Sequence, residues 1–214
     1  MKAAILGSPE VQKKMQAKLI ASGLQLIFAD SVENLLKETS ADIFFDFGFQ
    51  MKQERINMLS SLLPRPVFVN SVIHTLDQIG YPLIRINAWP TFFEREIWEI
   101  AVNTKPAAES AISFFEKANL NFQIIPDITG MISPRIIAMI INEAYYTVQD
   151  NVSSKDEIDT AMKLGTSYPF GPFEWSQKIG LKRIYELLLA LEKNDPGYTI
   201  ATLLAKEACA GDNI

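Results

Sequence analysis

The chain has 214 residues, 48% of them hydrophobic, which suits one large domain or two small ones with substantial cores. Its net charge is −5 without any basic tract, which argues against nucleic acid as a partner, because neutralising phosphates needs clustered Lys and Arg. A single cysteine, Cys209, and a single histidine, His74, exclude an intrachain disulfide, a Cys-rich zinc site and a His-cluster metal site. The first apolar run starts beside Met1, leaving no room for a signal peptide. The most apolar stretches are broken by charge or proline well short of a membrane span, so a soluble cytoplasmic protein without membrane contact is expected.

Taken in chain order, the first hundred residues alternate short apolar runs with helical patterns. Strands are predicted at 2–6, 24–29, 42–47, 66–70, 83–87 and 97–102, and helices at 9–22, 32–38 and 52–63. The runs are continuously apolar, as strands buried on both faces are, so a parallel sheet covered by helices is expected. The composition shifts at Thr104-Lys105-Pro106, and an all-helical second half is expected beyond it. Its helices fall at 106–118, 134–150, 155–164, 171–179, 181–192 and 199–208, with 122–126 as a short extended link. Ser154 and Glu157 form a capping box, and Gly165 is the expected stop of that helix. The stripe Ile136, Ile137, Ile140, Ile141, Ala144, Tyr145 and Val148 is wider than one small helical domain needs, which favours a homodimer. Two domains follow, 1–103 and 104–214.

The turn after the first strand resembles a dinucleotide-binding turn in outline only. The fingerprint G-x-G-x-x-G requires glycine at 7, 9 and 12, and the chain has Gly7, Pro9 and Gln12. Pro9 has no N–H to offer a phosphate, and Gln12 puts a long side chain at the tight contact. Ser8 as N-cap, Pro9 as first helical residue and Glu10 facing the helix dipole make the turn a good strand–turn–helix. Gly7, Ser8 and the acid Asp30, at the end of the second strand, are the candidate cofactor-binding residues.

The segment DITGMISPRIIAMIINEAYYTVQDNVSSKDEIDTAMKLGTSYPFGPFEW, residues 127–175, closely resembles the C-terminal domain of 3-hydroxyacyl-CoA dehydrogenases. Its most specific part is DEIDTAMKLGTSYPFGPFE, with Asp159, Gly165, Pro169, Gly171, Pro172 and Glu174 in the family's order. DPGYTIATLLAKEACAG at 195–211 resembles a later segment, and residues 41–71 match an earlier one more loosely. The resemblance implies a Rossmann-like domain followed by a helical domain that often pairs two subunits. It also implies NAD-dependent oxidation of a 3-hydroxyacyl-CoA by a His base, with a Glu, a Ser and an Asn around the substrate oxygen.

Carried over by position, much of that set is missing. The base falls on Asn87, which cannot accept a proton near neutral pH, while its orienting acid is kept as Glu99. The family's NTSS falls on Asn70-Ser71-Val72-Ile73, which keeps Ser71 and loses the substrate-facing serine. The Asn falls on Pro134, beside a retained Arg135. The helical segment after the second strand, which contributes to CoA binding, is reduced to a short connection between 30 and 41.

Ser71, His74, Asn87 and Glu99 are therefore the candidate catalytic positions. His74 could replace the missing base or be an ordinary loop histidine. Glu99 could be acidic in a closed pocket or paired with Arg85 or Arg95. Trp89, Phe92, Phe93 and Trp98 could wall a ligand or simply pack. Cys209 has no partner base to make it a nucleophile. Three functions stay open: a degenerate homologue that binds or regulates, with an acyl-CoA or a nucleotide as its ligand; an active NAD-dependent oxidoreductase with a rebuilt site; and a structural dimeric partner of another enzyme.

Overall fold

The computed structural model describes residues 1–193 and 195–210. Two compact units are present, one of residues 1–88 and 92–131, the other of residues 89–91 and those from Ile132 onward.

The first unit is built on a seven-stranded sheet ordered β2-β1-β3-β4-β5-β6-β7. Its strands are β1 (Lys2–Leu6), β2 (Gln25–Ala29), β3 (Ile43–Asp46), β4 (Val67–Asn70), β5 (Ile84–Ile86), β6 (Ile97–Ala101) and β7 (Asn121–Ile125). Its helices are α1 (Pro9–Leu19), α2 (Val32–Lys37), α3 (Gln53–Ser60), α4 (Leu76–Ile79) and α5 (Lys105–Ala118). The side-chain alternation of strands divides the core. Ala3, Ile5, Phe45, Phe68, Ile84 and Ile86 pack with α1 and α5 through Met15, Leu19, Phe114 and Phe115. Ala4, Leu6, Phe44, Val67 and Val69 pack on the other side with Leu35, Ile56 and Leu59 of α2 and α3. Burial on both faces is why the strand sequences carry apolar residues at consecutive positions.

Strands β1 to β5 are parallel, and β6 runs antiparallel to β5. The reason is local: residues 87–96 contain no helix, and a parallel return needs a crossover of a dozen residues or more. After α5 provides such a crossover, β7 lies parallel to β6. The sheet thus corrects two expectations. The segment at 122–126 is a sheet strand rather than a link, and the half beyond Thr104 is not all-helical. The amphipathic α5 buries Ala111, Phe114 and Phe115 against the sheet, which carries the sheet-bearing unit past residue 103 to Met131.

The second unit contains α6 (Ser133–Gln149), α7 (Lys155–Thr166), α8 (Pro172–Ile179), α9 (Leu181–Glu192) and α10 (Thr202–Ala210). The Ser154–Glu157 capping box opens α7, with Ser154 N–H donating to Glu157 Oε2 at 3.0 Å. Gly165 stays helical, and the left-handed residue that ends α7 is Ser167 at φ 57°. Helix α8 begins at Gly171, which has no side chain to cap it. Asp159 of α7 caps it instead, accepting from Phe173 N at 2.8 Å and Glu174 N at 3.1 Å. A Cβ on Gly171 would lie 2.5 Å from Asp159 Cα, so only glycine admits this approach. The Asp159…Gly171 spacing in the most recognisable motif is therefore a packing requirement. Asn142 of α6 ties down the segment before α10, donating to Thr199 O at 2.8 Å and accepting from Ala201 N at 2.9 Å.

Candidate functional site

Ligands of open parallel sheets bind beyond the carboxyl ends of the strands. At the end of β1, Ser8 Oγ accepts from Val11 N at 3.4 Å and Pro9 opens α1. Gln12 turns back toward the strands. Its Nε2 donates to Gly7 O at 3.1 Å and to Ala29 O at 3.2 Å. The side chain therefore ties the end of β1 to the end of β2, across the notch where a pyrophosphate would have to approach the backbone. Asp30 accepts from Asn34 Nδ2 at 2.6 Å, and that bond holds its carboxyl below the usual carboxylate range.

At the end of β3, the buried Asp46 is held by Arg55 of α3 through Nε at 2.7 Å and Nη2 at 2.6 Å, and by Gly48 N at 3.0 Å. At the end of β4, Asn70 bridges its neighbours, accepting from Ala88 N at 3.0 Å and donating to Phe47 O at 3.3 Å. Ser71 Oγ donates to His74 O at 2.8 Å, so its hydroxyl closes the turn into α4. His74 is half-buried in that turn, immediately before Thr75, the N-cap of α4.

Arg85 of β5 is fully buried. It forms an ion pair with Asp127 and donates to the carbonyls of Ser71 at 2.8 Å, Val72 at 2.9 Å and Ile128 at 3.2 Å. Its charge is thus committed to Asp127. The charge on Glu99 acts instead on Arg95, whose pKa is lowered by burial and raised by that carboxylate.

Asn87 and Glu99 do meet. Asn87 N donates to Glu99 O at 3.1 Å across the β5–β6 turn, and Asn87 Nδ2 donates to Glu99 Oε2 at 3.2 Å. Asn87 is 5% exposed and its Oδ1 has no hydrogen-bond partner. The pair is a donor on a carboxylate without a proton acceptor of imidazole strength. Phe93 packs on Phe47 and Trp98, at ring distances of 5.4 and 5.2 Å, and Trp98 packs on Phe115 at 5.7 Å. Phe93 and Trp98 thus fill the core of the sheet unit, and Trp89 and Phe92 are buried as well. Pro134 lies in the first turn of α6, and Arg135 binds the Tyr198 hydroxyl through Nε at 2.7 Å.

Of the predicted positions, Asn87 and Glu99 form one contact, Ser71 and His74 share a turn, and Gly7 is joined to Gln12. The Asp46–Arg55 and Arg85–Asp127 pairs were not anticipated. Their signal is a charge inside an apolar strand, in IFFD and IRI. Among the described residues there is no cluster of His, Cys, Asp and Glu able to hold a metal, and no helix long and apolar enough to cross a membrane.

Residues 130–213 match the family model described as 3-hydroxyacyl-CoA dehydrogenase, C-terminal domain. The chain is 39% identical to the 3-hydroxyadipyl-CoA dehydrogenase of Escherichia coli K12, over 72% of this chain and 30% of that protein. It is 34% identical to a 3-hydroxybutyryl-CoA dehydrogenase of Bradyrhizobium diazoefficiens, over 48% of this chain and 36% of that one. The matches thus span about a third of these relatives' length. The fold superposes on (S)-3-hydroxybutyryl-CoA dehydrogenase from Ralstonia eutropha with a TM-score of 0.81, covering 98% of this chain and 94% of that one at 16% identity. Residues 130–213 thus carry the C-terminal domain of the 3-hydroxyacyl-CoA dehydrogenase family.

Proposed function

We propose that this chain is a 3-hydroxyacyl-CoA dehydrogenase homologue that has lost hydride transfer and acts by binding. The observation that carries this is Gln12, whose amide bonds Gly7 O and Ala29 O where a dinucleotide would need open backbone. Pro9 removes a donor from the same turn, and Asp30 is engaged by Asn34. NAD does not fit this turn, and no hydride step is assigned. At the second centre, Asn87 preserves a hydrogen bond to Glu99 but supplies no base. The ligand we propose is an acyl-CoA or a nucleotide, held without turnover. The state we propose is a homodimer paired through the helical unit, supported by Ile132 and Ile136 of the α6 region, which are 38% and 54% exposed.

The test is thermal denaturation with NADH and, separately, with an acyl-CoA. A ligand at a hundred times its dissociation constant stabilises by about 2.7 kcal/mol, which is roughly 5–10 °C for a chain of this size. No shift with millimolar NADH is expected, together with a shift of that order from the acyl-CoA. A shift with NADH would overturn the loss of the cofactor site. No shift with either ligand would leave a structural partner of another enzyme.

A further inference from the structure

Arg85 is among the largest fully buried side chains of the described residues, and its partners come from separate stretches of chain. Its guanidinium takes up Ser71 O and Val72 O from the turn after β4, and Ile128 O and the Asp127 carboxylate from the segment after β7. Asp127 reaches back with its second oxygen to accept from Leu76 N at 2.8 Å, the first residue of α4. Gly130 N donates to Val72 O at 2.9 Å, the same carbonyl that Arg85 Nη2 holds. Val72 O is thus shared by two donors, and Asp127 is shared by Arg85 and α4. Moving either stretch would uncover a buried guanidinium and leave its acceptors unmatched, so the two stretches cannot be displaced one at a time.

We propose that Arg85 is a lock. It fuses the turn 71–76 and the strap 126–130 to β5 as one rigid body, and it fixes Ser71 and His74 in a closed turn. Loops beyond the carboxyl ends of such sheets ordinarily supply moving, ligand-responsive elements. Here that loop opens only when the sheet itself unfolds.

Amide hydrogen exchange on the full chain tests this through Leu76 and Gly130, whose N–H groups sit inside the lock. In the unaltered protein both should exchange at rates within about tenfold of the β5 amides, the behaviour of one cooperative unit. In Asp127→Asn, which keeps the shape and removes the charge, both should exchange at least about 100-fold faster while β1 amides are unchanged. The lock is overturned if Gly130 exchanges as an open loop in the unaltered protein, a result that needs no variant to fold. It is also overturned if Asp127→Asn leaves both amides as slow as before.

Discussion

Gly171 is the residue whose replacement has the most certain outcome. An added methyl would meet the Cα of Asp159 at 2.5 Å, a backbone atom that no side-chain rotation can move aside. Gly171→Ala should therefore cost about 3 kcal/mol or more, because α7 and α8 must separate, and chemical denaturation will measure it. The neighbouring Glu174 carboxylate is held below the usual range by Lys163 at 2.5 Å and by Gly171 N at 3.0 Å. A depressed folded pKa gives stability that is present above the unfolded value and lost as pH falls through the folded one. On acidification below roughly pH 4, the melting temperature should fall more steeply for the unaltered protein than for Glu174→Gln. At the β5–β6 turn, Asn87→His would set an imidazole against Glu99, whose Oε2 now lies 3.2 Å from the Asn87 amide nitrogen. Its pKa should rise above the ordinary value of about 6.5, readable by NMR titration, yet NAD-dependent oxidation should not appear while Gln12 closes the turn. Some of this was legible: Gln12 and Pro9 are visibly wrong for a phosphate turn, and Asn87 is visibly no base. What could not be read is direction. Nothing in the string says that Gln12 points back at Ala29 O, or that Arg85 selects Asp127 over Glu99. Those choices depend on residues brought together by the sheet.

Elements were most legible where burial is complete. Strands β1, β3 and β4 announce themselves because their residues are buried at consecutive positions and are mostly apolar. Strand β7 did not, because it lies at the sheet edge and shows an exposed Asn, Gln and Ile along NFQII. With polar Asn121 and Gln123 alternating along it, β7 loses the buried-run signature and reads as a link, whereas the other edge strand, β2, keeps the apolar run LIFA. The short α4 escaped for another reason: four residues are too few for a helical period, and only its Thr75–Gln78 capping box marks it. The stop of α7 was misplaced because glycine was assumed to terminate it. The helix continues through Thr166, whose hydroxyl donates to Met162 O at 2.6 Å, and Ser167 takes the left-handed conformation.

For the molecule as a whole, the open matter is assembly. Ile136 is 54% exposed on α6, and Ile132 beside it is 38% exposed. Light scattering of the unaltered chain should report a dimer, and Ile136→Glu should shift it toward monomer with unchanged circular dichroism. A monomer at every concentration would remove the proposed pairing. The fold itself was legible at this scale, since an alternating first half and a helical second half already indicate a covered sheet followed by a bundle. The clasp of Asp159 over Gly171 bears on how such a chain is recognised at all. The most diagnostic stretch of the sequence is a mechanical joint between two helices, and its packing demands those residues whether or not any substrate is ever converted. Kinship inferred from that joint is inheritance of architecture. Chemistry rests on other positions, Gln12 and Asn87 among them, about which that joint says nothing.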